Sequence, residues 1–147
     1  MERIIVSACI LGDKTRYDGK SKKVLSEKLE KWISEGRVVK ICPEVMGGLS
    51  VPRAKSEISD GKVLNEKGLD VTKNFYDGAK KSLETAKKNN ITKAILKQAS
   101  PSCGTKEIYD GSFSGAKISG AGICARLFYE NGIEIYDETE IDKITLK

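Results

Sequence analysis

The sequence of 147 residues contains no histidine. An imidazole is therefore not available as a general base, as a metal ligand, or as the partner of a nucleophilic cysteine. Any metal must be held by thiolates, and any acid–base step must use a carboxylate, a lysine, a tyrosine, a hydroxyl or water. This one absence restricts the chemistry of the protein more than any other feature of its composition.

Long hydrophobic runs are also absent. A segment that spans a bilayer needs about 18 consecutive apolar residues, and no segment approaches that length. The apolar stretch near the N-terminus is too short for a signal peptide, and no small-residue cleavage site follows it. We therefore expect a cytoplasmic protein without membrane contact. In a reducing compartment its four cysteines do not indicate a disulfide framework, and none of them forms the CxxC pair common in structural zinc sites.

The remaining composition, 39% hydrophobic and 32% charged residues, is typical of a soluble globular protein. The length predicts a single domain, 1–147, with its own core. A net charge of +5 comes from scattered lysines, which favours a solvated surface, while a basic face that contacts RNA remains the alternative. The sequence does not indicate an oligomeric state, and a monomer is compatible with it.

Short apolar runs alternate with segments of helical periodicity along the chain. Strands are predicted at 3–8, 37–41, 93–98 and 133–136, and helices at 22–34, from 70 or 72 to about 90, and at 119–129. The segment 42–68 is predicted to be a long loop with a small hairpin around 57–63. This order predicts an α/β fold, Rossmann-like in its β-α-β connections, with a small and mainly parallel sheet flanked by helices.

Three of the four cysteines follow predicted strands. Cys9 follows the first strand, Cys42 follows the second, and Cys103 follows the third after a Ser-Pro-Ser lead-in. The carboxyl ends of parallel strands meet at one edge of a sheet, and ligands bind in the crevice there. A single cysteine after a strand is more often a small buried apolar residue, but three cysteines after three strands predict a shared site.

Three thiolates from separate loops are typical of an iron–sulfur cluster, [4Fe-4S], with its fourth iron left open. From the spacing alone, a zinc site and a bare redox thiol site remain alternatives. The fourth cysteine, Cys124, lies within a predicted helix beside apolar residues and is expected to belong to the core.

Polar residues near these cysteines are candidates for the chemistry. Glu44 lies two residues after Cys42 and is the leading candidate for proton transfer, although a surface-loop glutamate is the alternative reading. Ser100 and Ser102 could donate hydrogen bonds to a substrate or to a cluster sulfide, or could simply form a turn. Weaker candidates for substrate binding at the same edge are Arg16, Asp18, Arg53, Tyr109 and Asp110.

Four segments resemble the thiouracil desulfidases, the DUF523 family: VSACILGDKTRYDG, CPEVMGGLSVPRAKSEI, SPSCGTKEIYDGSFSG and GAGICARLF. The resemblance extends over nearly the whole chain. It implies a [4Fe-4S] cluster on Cys9, Cys42 and Cys103. It also implies removal of sulfur from thiolated pyrimidines such as 2- or 4-thiouracil or related nucleotides, and in some relatives from 4-thiouridine in tRNA.

The resemblance also implies roles for three residues. The acidic catalytic residue of the family matches Glu44, and its catalytic serine lies in the SPSC motif, where Ser100 is favoured and Ser102 is the second choice. We expect a hydrolysis without net redox change, in which the substrate sulfur binds the open iron and leaves as hydrosulfide while uracil is formed. The alternatives are a tRNA 4-thiouridine desulfidase and a non-catalytic module that carries a cluster or sulfide. The tRNA alternative is less favoured because the short chain has no recognisable RNA-binding appendage.

Overall fold

Short strands and helices alternate along the chain, and the structure, a computed structural model, describes all residues from 1 to 147. The helices are α1 (Glu27–Ser34), α2 (Pro43–Met46), α3 (Thr72–Lys88) and α4 (Ile123–Glu130), with single 3₁₀ turns at Ala8–Leu11 and Ile141–Lys143. The strands are β1 (Ile4–Ser7), β2 (Val38–Ile41), β3 (Ser56–Ser59), β4 (Lys62–Asn65), β5 (Lys93–Leu96), β6 (Glu107–Tyr109), β7 (Lys117–Ser119) and β8 (Glu134–Asp137).

Four of the strands form one parallel sheet in the order β2-β1-β5-β8. Every residue of β1 is buried, as expected for a strand with helices on both faces of the sheet. The predicted α/β fold with a small parallel sheet is thus confirmed. The other strands form two antiparallel hairpins, β3–β4 and β6–β7, which lie outside this sheet.

The sheet separates two apolar clusters. Ile5 of β1 faces a cluster that includes Phe128 of α4 and residues of α3, whereas Ile4 and Val6 face a second cluster that includes Trp32 of α1. This division follows from the alternation of side chains along a strand. None of the helices combines the length and the apolarity that crossing a membrane requires.

Three predicted boundaries are wrong in instructive ways. The helix predicted from residue 22 begins at Glu27, because Val24 donates its amide to the carbonyl of Ile10 and the chain is still extended there. The helix predicted from residue 119 begins at Ile123, and the residues before it form the strand β7. The predicted loop after residue 42 opens with the short helix α2.

Helix α2 approaches α3 closely because Gly47, the residue after α2, and Gly78 of α3 lie at the contact. A Cβ atom on Gly78 would collide with the carbonyl oxygen of Pro43, and one on Gly47 would collide with the carbonyl oxygen of Asn74. The Asn74 side chain also donates to the carbonyl of Gly47 at 2.9 Å. The position of α2, and of the residue it carries into the site described below, therefore depends on these two glycines.

We expect Gly78→Ala to destabilise the protein. The added methyl group gains about 1 kcal/mol in helix propensity, but it overlaps backbone atoms that can move only with all of α2, and such overpacking costs about 3 kcal/mol or more. Thermal unfolding should shift down by roughly 4–8 °C. The exposed Lys80 of the same helix supplies the control, Lys80→Ala, which should unfold near the wild-type temperature. An unchanged melting temperature for Gly78→Ala would contradict this packing argument.

Candidate active site

A cavity of about 340 Å³ lies at the carboxyl edge of the parallel sheet. Cys9 reaches it from the 3₁₀ turn after β1, Cys42 from the first residue after β2, and Cys103 from the loop that follows β5. All three are free thiols, and Cys9 and Cys103 are buried with 8% and 4% exposed surface. The structure therefore brings together the three cysteines that the strand pattern placed at this edge.

Burial dominates the electrostatics of these thiols. It raises the pKa of Cys9 to about 11, and the neighbouring Cys42 adds to that shift. Burial also raises the pKa of Cys103 to about 12, against weaker opposing hydrogen bonds from Ser7 and Ser102. Both thiols are protonated at neutral pH, and a protonated buried thiol is a poor nucleophile and a poor redox group.

The loop that carries Cys103 is fixed to the start of α4. The carbonyl of Pro101 accepts the amide of Ile123 at 2.9 Å, and the carbonyl of Ser102 accepts the amide of Cys124 at 2.9 Å. These bonds satisfy amides that would otherwise be unpaired in the first turn of a helix. The Cys103 thiol is thus held by a rigid element although it lies in a loop.

The fourth cysteine is part of the core. Cys124 has no exposed surface and packs in the same apolar cluster as Ala125 and Phe128, and it does not line the cavity. Burial raises the pKa of its thiol well above the ordinary value. This position agrees with the core role expected from the sequence.

Glu44 and the two serines form a chain of hydrogen bonds along the cavity wall. The Glu44 Oε2 atom accepts from the Ser102 hydroxyl at 2.8 Å, and the Ser102 and Ser100 hydroxyls are 2.9 Å apart. The Ser100 Oγ atom also accepts the amides of Ser102 and Cys103, both at 3.1 Å. The Glu44 side chain is only 13% exposed, so the surface-loop reading of this residue is wrong.

The direction of this chain follows from its acceptor. An ionised carboxylate can only accept, so the Ser102 hydroxyl must donate to Glu44. The Ser102 oxygen can then only accept from Ser100, which donates its single hydroxyl hydrogen there. The two backbone amides on Ser100 favour negative charge on its oxygen. The arrangement can therefore pass a proton from Ser100 through Ser102 to Glu44.

The structure separates the five expected substrate-binding residues into two groups. Arg16, Arg53 and Tyr109 line the cavity, whereas Asp18 and Asp110 do not, so the structure gives no support to a substrate contact for these two carboxylates. Each of them instead accepts the backbone amide two residues ahead, of Lys20 at 3.0 Å and of Ser112 at 2.9 Å. Hydrogen bonds from Ser112 also lower the pKa of Asp110. Both aspartates therefore form turns.

Four lysines that the sequence did not single out also line the cavity: Lys22, Lys55, Lys97 and Lys117. The Nζ atoms of Lys55 and Lys117 lie 4.5 and 5.5 Å from the centre of the Tyr109 ring. Glu44 is the only carboxylate in the lining, but Arg16, Arg53, Lys55 and Lys97 each form an ion pair. Lys22 and Lys117 form none, and they give the cavity its uncompensated positive charge. Nothing in the sequence marks these four among 26 lysines and arginines.

A parallel sheet with a cavity at its carboxyl edge, lined by three thiols, a carboxylate and two hydroxyls, is the architecture of an α/β enzyme. The sequence model of the 2-thiouracil desulfurase family matches residues 4–140. The chain therefore belongs to the 2-thiouracil desulfurase family and is a desulfidase.

Two known proteins are similar over nearly the whole chain. The uncharacterized protein YbbK of Bacillus subtilis (strain 168) is 40% identical over 151 aligned positions, which cover 96% of this chain and 99% of that protein. A solved structure described as the [4Fe-4S]-dependent thiouracil desulfidase TudS is 43% identical with a TM-score of 0.96, covering 97% of this chain and 95% of that one. The resemblance to thiouracil desulfidases drawn from the sequence motifs is confirmed.

Proposed function

We propose that this chain is a [4Fe-4S]-dependent desulfidase that removes sulfur from thiolated pyrimidines by hydrolysis, with Cys9, Cys42 and Cys103 as the cluster ligands. The observation that carries the proposal is the meeting of these three thiols, from three separate segments, in one cavity with Glu44. The similar solved structure is described as dependent on the same cluster. We further propose that residues 1–147 act as one domain.

The donor set fits an iron–sulfur cluster better than the alternatives. Three cysteine thiols at one cavity suit iron ligation, because a bound metal takes them up as thiolates. No group of three or more cysteine or carboxylate side chains converges on one point as ligands of a single ion. A cluster does not require such convergence, since each thiolate binds a different iron.

When bound, a cluster held by three thiolates would supply an iron that accepts the soft sulfur of a thiocarbonyl group and polarises the C–S bond. The overall reaction exchanges that sulfur for the oxygen of water. One water is consumed, sulfide is released, and no electron is gained or lost, so no electron donor is needed.

The proton transfers fall to residues of this chain. Glu44 is the only carboxylate of the cavity, and in a chain without histidine it is the group that can take a proton from the attacking water. Once Glu44 is protonated, it can donate to Ser102, which can then donate to Ser100. The Ser100 hydroxyl is thereby free to give its proton to the ring nitrogen or to the departing sulfur.

The charge of the cavity supports an anionic substrate, and we propose a thiolated pyrimidine nucleotide rather than the free base. Six cationic side chains and one carboxylate line the cavity. Lys117 is exposed and forms no ion pair, so its ammonium group is available to a phosphate. A neutral thiouracil would make no use of this charge.

Lys117→Ala is expected to raise KM for thiouridine monophosphate about threefold to tenfold, the value of one charge-assisted contact of about 1 kcal/mol. The KM of the variant for free 4-thiouracil should stay within about twofold of the wild-type value. The increase in KM for thiouridine monophosphate should become smaller at high salt. Lys88→Ala removes the same charge from an exposed site on α3 and should change neither constant. Equal effects of Lys117→Ala on base and nucleotide would contradict the nucleotide proposal.

Anaerobic reconstitution with iron and sulfide, followed by incubation with thiolated substrates, tests the proposed function. Formation of uracil or its nucleotide together with sulfide would support a desulfidase. An iron-loaded protein that yields neither product from 2-thiouracil, 4-thiouracil or thiouridine monophosphate would overturn the proposal in favour of a carrier module. Turnover of thiolated tRNA alone would favour the tRNA alternative.

A further inference from the structure

We propose that Arg53 is a positioning residue for Glu44, and not the substrate-binding residue that its sequence position predicts. This inference rests on the proposed function, because it assigns a role in that reaction. Glu44 lies on α2, a helix of one turn, and its carboxylate must be held in a fixed orientation to accept a proton from water.

Each nitrogen of the Arg53 guanidinium group contacts a different segment. Its Nε donates to Glu44 Oε1 at 3.0 Å, its Nη1 to the carbonyl of Ser50 at 3.1 Å, and its Nη2 to the carbonyl of Thr15 at 3.0 Å. The Arg53 amide also donates to the carbonyl of Tyr17 at 2.8 Å. The side chain is only 8% exposed. Arg53 is therefore fixed by the backbone of two loops before it contacts Glu44.

The carboxylate is consequently bound on both sides. Arg53 donates a hydrogen bond to Glu44 Oε1, and the Ser102 hydroxyl donates one to Glu44 Oε2. The two bonds together fix the orientation of the carboxylate plane. The two partners come from opposite sides of the cavity wall, one from the segment before β3 and one from the loop after β5. Without Arg53, only the Ser102 bond would hold a side chain that has three rotatable bonds.

The geometry requires arginine and not merely positive charge. Three acceptors in three directions match the planar fork of a guanidinium group, whereas the donors of a lysine all radiate from one atom. Thr15 adds a second link, because its carbonyl also lies 3.8 Å from the Cys42 thiol. The same carbonyl is thus shared by the residue that positions Glu44 and by a proposed cluster ligand.

The experiment compares Arg53→Ala and Arg53→Lys in the reconstituted enzyme, with neutral 2-thiouracil as substrate. The charge control is Arg126→Ala, which removes an exposed arginine of α4 outside the cavity. We expect kcat to fall about 100-fold in Arg53→Ala, since a misplaced catalytic group costs about that factor. The KM of Arg53→Ala should stay within about twofold of the wild-type value, and its iron content should match wild type. Added methylguanidine should restore part of the kcat of this variant. Arg53→Lys should lose nearly as much kcat as Arg53→Ala, whereas Arg126→Ala should retain the wild-type kcat.

Other outcomes would overturn the inference. A raised KM with unchanged kcat would make Arg53 a substrate-binding residue, and loss of iron would make it a support for the cluster site. An equal fall of kcat in Arg126→Ala would show that the loss reflects the removed positive charge and not the position of Arg53. A crystal structure of cluster-free Arg53→Lys gives a readout that does not depend on turnover. We expect the Glu44 side chain to be displaced and its hydrogen bond to Ser102 to be lost. An unmoved Glu44 would refute the positioning role even if the wild-type enzyme proved inactive on thiouracil.

Discussion

Cys103→Ser is expected to abolish both iron binding and desulfidation. The Cys103 thiol is 4% exposed, and its loop is tied to the start of α4, so no other side chain can move in to replace it. A serine hydroxyl at this position would remain protonated and would bind iron poorly. Under the proposed function, anaerobic reconstitution of the variant should give almost no visible iron–sulfur absorbance, and sulfide release should fall below detection.

Cys124→Ala is the matched control for this variant. Cys124 is also a buried, free cysteine with a raised pKa, but it packs in the core and does not line the cavity. Its replacement should cost about 1 kcal/mol of stability from the lost sulfur volume and leave iron content unchanged. Normal iron loading in Cys103→Ser, or its loss in Cys124→Ala, would show that the ligands are assigned to the wrong residues.

Glu44→Gln is expected to abolish most of the desulfidase activity without changing iron binding. The glutamine oxygen can still accept from Arg53, but its amide group cannot accept the Ser102 hydroxyl or take a proton from water. The variant should bind iron as wild type does while kcat falls by about 10²–10⁴, the usual contribution of a positioned general base. Iron content and the rate of sulfide release, measured on the same preparation, check both parts.

The control for charge is Glu66→Gln, which removes one carboxylate from an exposed position outside the cavity. It should keep full activity. A Glu44→Gln enzyme that retained more than about a tenth of wild-type kcat would exclude Glu44 as the general base. Proton transfer would then have to pass through the serines and bound water alone.

The parts of the fold that could be predicted from the sequence are those whose burial leaves a pattern in it. β1 is buried along its whole length and its first three residues are apolar, and α3 shows helical periodicity over 17 residues. From these elements the parallel sheet follows, and with it the edge at which Cys9, Cys42 and Cys103 meet. The convergence of the site was thus predictable from the order of the elements.

The parts that escaped prediction have no such pattern. All three residues of β7 are exposed, so burial leaves no pattern in this short strand, and the sequence there predicts the start of a helix instead. Helix α2 has four residues, too few to show a period. Lys117 lines the cavity only because of where the hairpin β6–β7 docks, and Lys22, Lys55 and Lys97 reach it from three other segments, so their convergence is a tertiary property. The sequence places Arg53 at this edge, but its hydrogen bonds to Glu44 and Thr15 depend on how the loops pack and leave no pattern in the sequence.

The order of the strands also bears on when the cofactor can be acquired. The ligand segments follow β2, β1 and β5, which are neighbours in the sheet although residues 9 and 103 lie far apart in the chain. A ribosome must therefore release most of the polypeptide before the third thiol exists beside the first two. Under the proposed function, the three-thiol site is therefore complete only once β5 has paired with β1, so tight iron binding should depend on the folded sheet.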